Sequence, residues 1–182
     1  MATATTMSGA AFDQLPNEES RDLELLQGEL IEMPTGTPEH QLIILALASS
    51  LYQYFRRERS GGAIPDVEFA FGEDTRLRPD MAVLLGERWD STNRKQTPIP
   101  LAPDIAVEVI SPSERTVDSQ RKVGIYLAAG TKEVWQFYPE SRQVLVYKGA
   151  KSITPLDAED TLSTPLLPGS EVSVLEIFEA SN

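Results

Sequence analysis

The segment Asp104-Ile105-Ala106-Val107-Glu108-Val109-Ile110 places an acid in the middle of an apolar run. A run this short and this rich in branched side chains reads as a central β-strand. Neighbouring strand residues point to opposite faces, so Val107 and Val109 face away from Glu108 and into a core. A carboxylate in such a run is costly to bury without a partner. A second acid, Asp80, follows Pro79 at the start of another strand-like run, and a lysine, Lys122, follows on a later segment. A divalent metal shared by Asp80 and Glu108 would supply the missing partner, and the arrangement points to metal-assisted hydrolysis.

Two other acids compete for that role. Asp104 shares a strand face with Glu108, but four strand residues span about 13 Å. Carboxylate oxygens must lie about 2.0–2.1 Å from magnesium, so these two cannot hold one ion. Asp66, in the first of three Pro-Asp pairs with Asp80 and Asp104, can join if residues 63–85 fold as a hairpin that sets it beside Asp80.

Lys122 falls on a helical segment with Asp118 and Tyr126 at i−4 and i+4. Two readings stand: a surface Asp–Lys pair with the tyrosine against the lysine stem, or a cation beside a metal site that orients water or meets phosphate charge. His40, the single histidine, opens the first long helix, where a structural role is the simpler reading. Glu29 and Glu32 are most simply solvent-facing, although either would be within reach of a metal on the same side.

The 182 residues suit one domain with a sizeable core. Residues 1–20 have neither a basic nor an apolar stretch of a leader peptide and are expected to form a disordered tail, with residues 21–182 as the domain. No apolar run approaches the length of a membrane span. The absence of cysteine excludes disulfides and thiolate-bound zinc and fits a cytoplasmic protein. The net charge of −12 counts against broad, non-specific nucleic-acid binding. Two local basic clusters, Arg56-Arg57-Arg59 and Arg88-Arg94-Lys95, could meet phosphate; a solvated surface is the simpler reading.

The pattern of elements is a hairpin over 22–33 about Gly28, a helix from Glu39 to about Arg59, and strands over 63–71 and 77–85. A polar loop over 86–103, the central strand, a helix over 117–129 and a hairpin over 133–148 follow. The remainder is loop-rich and closes on a strand over 172–178. Strands and helices do not alternate and no GxGxxG occurs, so a mixed α+β fold is expected in place of a doubly wound one.

The ordered segments Glu24–Met33, Thr37-Pro38-Glu39-His40, Arg78–Val83 and Ala102–Ser113 carry a family resemblance. So do Lys122, Tyr126, Gly130, Glu133-Val134-Trp135 and Leu167-Pro168-Gly169. On these the chain resembles the Uma-type restriction endonucleases, a branch of the PD-(D/E)xK nuclease superfamily, over roughly Leu23 to Ile177. The resemblance implies a restriction-endonuclease-like core: a mixed sheet flanked by helices, an α/β arrangement of the α+β kind. It implies a metal-dependent endonuclease acting on DNA, with Asp80 and Glu108 binding magnesium or manganese and the Val109 carbonyl as a further ligand. Lys122 would position water, with Tyr126, Glu29 and His40 in supporting places. One departure matters: the superfamily lysine stands two residues after the second acid, and Ile110 occupies that position here. In the Uma-type branch the lysine sits on the following helix, where Lys122 matches it. A catalytically silent module of the same fold, binding nucleic acid or protein, is the alternative. A homodimer would suit cleavage of both strands of a duplex.

Overall fold

The computed structural model describes residues 6–20, 22–149 and 151–180. In chain order the elements are helices α1 (Gly9–Phe12) and α2 (Asn17–Ser20), strands β1 (Leu23–Leu26) and β2 (Glu29–Glu32), and helix α3 (Pro38–Glu58). Strands β3 (Gly61–Pro65), β4 (Phe69–Ala70), β5 (Arg76–Leu77) and β6 (Met81–Leu85) precede helix α4 (Gly86–Ser91), strand β7 (Ile105–Val109) and helix α5 (Thr116–Ala128). The chain ends with β8 (Glu133–Tyr138), β9 (Gln143–Tyr147), β10 (Ile153–Leu156), β11 (Thr161–Leu162), β12 (Val172–Ser173) and helix α6 (Val174–Glu179).

A six-stranded sheet in the order β10-β9-β8-β7-β6-β3 forms the centre. β7 runs parallel to β8 and antiparallel to β6, so the sheet is mixed. All five residues of β7 are buried, as the apolar run requires. One face of the sheet packs against α3 and α6 through Ile43, Leu47, Leu51, Ile177 and Phe178. The other packs against α5 and a small sheet, β2-β1-β5-β4, through Val123, Tyr126, Leu26, Phe69 and Leu77. Helix α3 starts where Thr37 accepts a hydrogen bond from the His40 N–H at 3.2 Å, with Pro38 in its first turn. It stops at Arg59, whose φ of +52° breaks the helical repeat.

The hairpin β1–β2, helices α3 and α5, the central strand and the hairpin β8–β9 match their expected places. Other segments differ. The strand expected over 63–71 is two strands in different sheets, parted at Asp66, whose φ is +50°. The strand expected over 77–85 is likewise divided: β5 belongs to the small sheet and β6 to the large one. Arg78-Pro79-Asp80 crosses between them, and proline has no N–H to continue a ladder. Within 86–103 a short helix replaces the first part of the loop. The segment 172–178 is strand for only two residues. Ser173 then caps a helix, accepting from the Glu176 N–H at 3.2 Å, and Val174, Ile177 and Phe178 bury one helical stripe.

The disordered tail also needs correction over the described residues. Phe12 is buried, and Asp13 accepts from the Arg76 guanidinium at 2.8 and 2.9 Å, which ties α1 to β5. Apolar burial and a two-pronged ion pair offset the chain entropy there. Residues 1–5 of that expected tail lie outside the described residues. No helix among the described residues is long and apolar enough to cross a membrane.

Candidate active site

Glu108 leaves β7 on the α5 side of the sheet and is 5% exposed. The Tyr126 hydroxyl on α5 donates to its Oε1 at 2.7 Å, and the Lys122 ammonium lies 3.7 Å from its Oε2. Burial pushes the Glu108 carboxyl well above the ordinary range; Lys122 opposes this, while the charges of Asp80, Glu24 and Glu114 add to it. Burial also lifts the Tyr126 phenol well above its usual value, helped by the Glu108 charge, so it stays neutral and donates.

Asp80 reaches the same place from the crossing segment ahead of β6. Met81 pairs with Val107 across the antiparallel ladder, which sets Asp80 close to the C-terminal end of β7. There the Val109 N–H donates to Asp80 Oδ2 at 2.6 Å, and His40 Nε2 lies 3.3 Å from Oδ1. The hydrogen bond with Asp80 raises the His40 imidazole above its usual value against the opposing effect of burial. Its Nδ1 is buried and has no hydrogen-bond partner among the described residues. Asp66 is adjacent through the backbone, its N–H donating to the Asp80 carbonyl at 3.2 Å.

Lys122 is not half of a surface pair. It is 8% exposed, and Asp118 instead bridges Arg115 at 3.5 Å and Arg121 at 3.4 Å. The ammonium lies 2.7 Å from Glu24 Oε2 and 3.7 Å from Glu114 Oε1 as well as beside Glu108. Burial alone would strip its proton, but the Glu108, Glu24 and Glu114 carboxylates outweigh that and hold its proton more tightly than usual. Its carboxylate neighbours thus favour the charged ammonium.

Glu24 is the residue the sequence analysis passed over. It is 1% exposed, and its second oxygen, Oε1, accepts from the Arg78 N–H at 2.7 Å, bracing the crossing segment that carries Asp80. The signal was present: Glu24 sits between Leu23 and Leu25 on a strand, as Glu108 sits between valines. Glu29 was weighed instead. It is exposed on the hairpin and pairs with Arg121 at 2.9 Å, away from the cleft.

His40, Asp80, Glu108, Glu114 and Lys122 line one cleft of about 380 Å³. Seven carboxylates face it, from Asp22, Glu39, Asp66, Asp80, Glu108, Glu114 and Glu140, against the basic side chains of His40, Arg78 and Lys122. This surplus of hard oxygen donors, around a Glu108 carboxyl that burial above all pushes up, suits a hard divalent cation. Among the described residues no three His, Asp or Glu side chains are grouped so as to hold a metal by themselves.

A family model described as "Putative restriction endonuclease" (Uma2) matches residues 10–175. No curated protein matches the chain. The crystal structure of "a putative nuclease belonging to DUF820" from Anabaena variabilis is similar at 22% identity, with a TM-score of 0.81 over 97% of this chain and 99% of that one. At that identity the likeness establishes the shared fold.

Proposed function

The chain belongs to the Uma2 family of restriction-endonuclease-like proteins, and from that premise we propose that it is a metal-dependent endonuclease hydrolysing DNA phosphodiester bonds. The observation that carries this reading is the meeting of Asp80, on the segment entering β6, and Glu108, on the neighbouring β7, with a buried Lys122 in one cleft. Asp80 and Glu108 would hold magnesium or manganese, with the Val109 carbonyl as a third donor. The bound ion supplies an acidified water and neutralises charge on the phosphate.

The chain's own residues prepare that site. The Val109 N–H and His40 fix the two oxygens of Asp80, and the Tyr126 hydroxyl fixes Glu108, so neither carboxylate must reorganise. Lys122, held at Glu24, presents a positive charge that does not depend on pH near neutrality. Its work is electrostatic: it orients a water or faces a non-bridging phosphate oxygen. His40, in the first turn of α3, holds Asp80 and lines the cleft.

The test is incubation of supercoiled plasmid and of single-stranded DNA with the protein over a magnesium or manganese titration. Nicking or linearisation is expected with metal and not in EDTA, and it should vanish in Asp80→Ala and in Glu108→Ala. Cleavage that survives both substitutions would remove these acids from the mechanism.

A further inference from the structure

Two basic side chains that are far apart in sequence border one cavity: Arg56, which lines it, and Arg94, which lies over its Trp89. Arg56 and Arg59 close α3, and Arg94 and Lys95 follow α4. The Gly86 N–H donates to the Ser60 carbonyl at 2.9 Å, so the start of α4 is tied to the chain just beyond α3. Between them lies a cavity of about 560 Å³ walled by Tyr52, Phe55 and Arg56 of α3, by β3 and by Trp89 of α4. The Arg94 guanidinium lies over the Trp89 ring, 4.3 Å from its centroid. A side chain at Gly62 would collide with the indole, so glycine on this edge strand is what admits the ring.

The chemistry of this pocket is opposite to that of the catalytic cleft. No carboxylate lines it, whereas seven line the cleft. Tyr52 is 65% exposed, and its ring is available to a ligand. Arg56, Arg59, Arg94 and Lys95 are exposed and form no ion pair among the described residues. On a chain of net charge −12, an aromatic and cationic pocket without acids selects a flat ligand that carries negative charge. The pocket also adjoins the cleft. Pro65 lines both, and His40, Ile44, Ala48, Tyr52 and Arg56 form one i, i+4 row along α3 from one into the other. At 1.5 Å per residue, His40 and Tyr52 are about 18 Å apart along the helix axis.

We propose that this pocket binds unpaired bases of a single nucleic-acid strand whose backbone continues along α3 into the catalytic cleft. The inference rests on the nuclease reading and adds a substrate form to it. Bases stack on the exposed Tyr52 ring beside the Trp89–Arg94 pair, while Arg56 and Arg94 meet the phosphates. Stacking on aromatic rings tolerates any base, because every base has a π face, and a duplex keeps those faces covered.

The test is binding of a labelled oligothymidylate to the full chain in EDTA, beside the same strand in a duplex. The single strand should bind about tenfold more tightly than the duplex, and Tyr52→Ala should remove about that factor. Arg56→Glu combined with Arg94→Glu should flatten the slope of log affinity against log salt by roughly 1.4. Bound strand should quench Trp89, and Trp89→Phe should abolish the quenching because Trp135, the other tryptophan, is 1% exposed. Absence of single-strand binding by the wild type, or binding unchanged by Tyr52→Ala and the double substitution, overturns the proposal. So does a dimer that Tyr52→Ala dissociates without altering oligonucleotide affinity, since the pocket would then be a contact between copies. Failure of the nuclease reading shows separately, as a wild type that binds the strand in EDTA and does not cut it with magnesium or manganese.

Discussion

Helix α3 serves two hollows that ask for opposite partners. Its first turns border a cleft faced by seven carboxylates; its last turns border a pocket with no carboxylate and with Tyr52, Trp89, Arg56 and Arg94. The difference teaches where the protein places its charge. A phosphate approaches seven acids only where cations intervene, the part that the proposed function gives to Lys122 and an ion. The second pocket needs neither and can hold a strand while the first engages one of its phosphates. Net charge alone says nothing of this, because −12 is an average over two surfaces of unlike sign.

The widest break in the comparison comes from the acids of the cleft. Asp80→Ala and Glu108→Ala should each reduce plasmid cleavage to background and abolish manganese binding measured by calorimetry. Retained metal binding in both would move the cation elsewhere. Next is Lys122→Met, expected to lower kcat by about 10²–10³-fold, the size of a lost electrostatic stabiliser. Metal affinity should not fall with it, since removing a buried cation leaves the acids freer to take an ion. A loss of metal affinity equal to the loss of kcat would contradict a purely electrostatic role.

A smaller effect should follow Tyr126→Phe, which leaves the buried Glu108 Oε1 without its donor. The expected cost is about 1–3 kcal/mol of unfolding free energy without metal, measured by urea titration. Added magnesium should recover part of it, because the ion replaces the missing partner. No recovery would argue that Glu108 and the ion do not meet.

The smallest effect concerns pH. Burial raises the Glu114 carboxyl above its unfolded value of 4.5, with Lys122 opposing and Glu24 and Asp80 adding. The folded chain therefore binds that proton more tightly than the unfolded chain. Its contribution to stability is present below pH 4.5 and is lost as pH rises through the folded value. Glu114→Gln should flatten the decline in stability over that window in EDTA-treated protein. An unchanged pH profile would place Glu114 in solvent.

Local pattern made much of this legible. The apolar stripe of α3 and the apolar run of β7 identify their elements because side-chain period is a property of the backbone. Glu108 stood out for the same reason, and alternation applied equally to Leu23-Glu24-Leu25. Glu24 escaped because two acids on one hairpin, Glu24 and Glu29, differ only in which side meets the other sheet. The break at Arg78-Pro79-Asp80 was less visible. A run from 77 to 85 looks like one strand unless it is known that β5 and β6 pair in different sheets.

By itself the sequence determined the central strand with its buried acid, the long amphipathic helix, and Asp80 and Glu108 as the pair that could work together. These follow from short-range periodicity, from the cost of burying charge, and from strand spacing that kept Asp104 out. Only the tertiary structure decided who surrounds them. Glu24 comes from the hairpin, Lys122 from α5 and His40 from α3, while Trp89 and Tyr52 line one cavity at the edge of the sheet. Such meetings join residues tens of positions apart. Their cause is the burial of two sheet faces against helices, which no local pattern along the chain encodes.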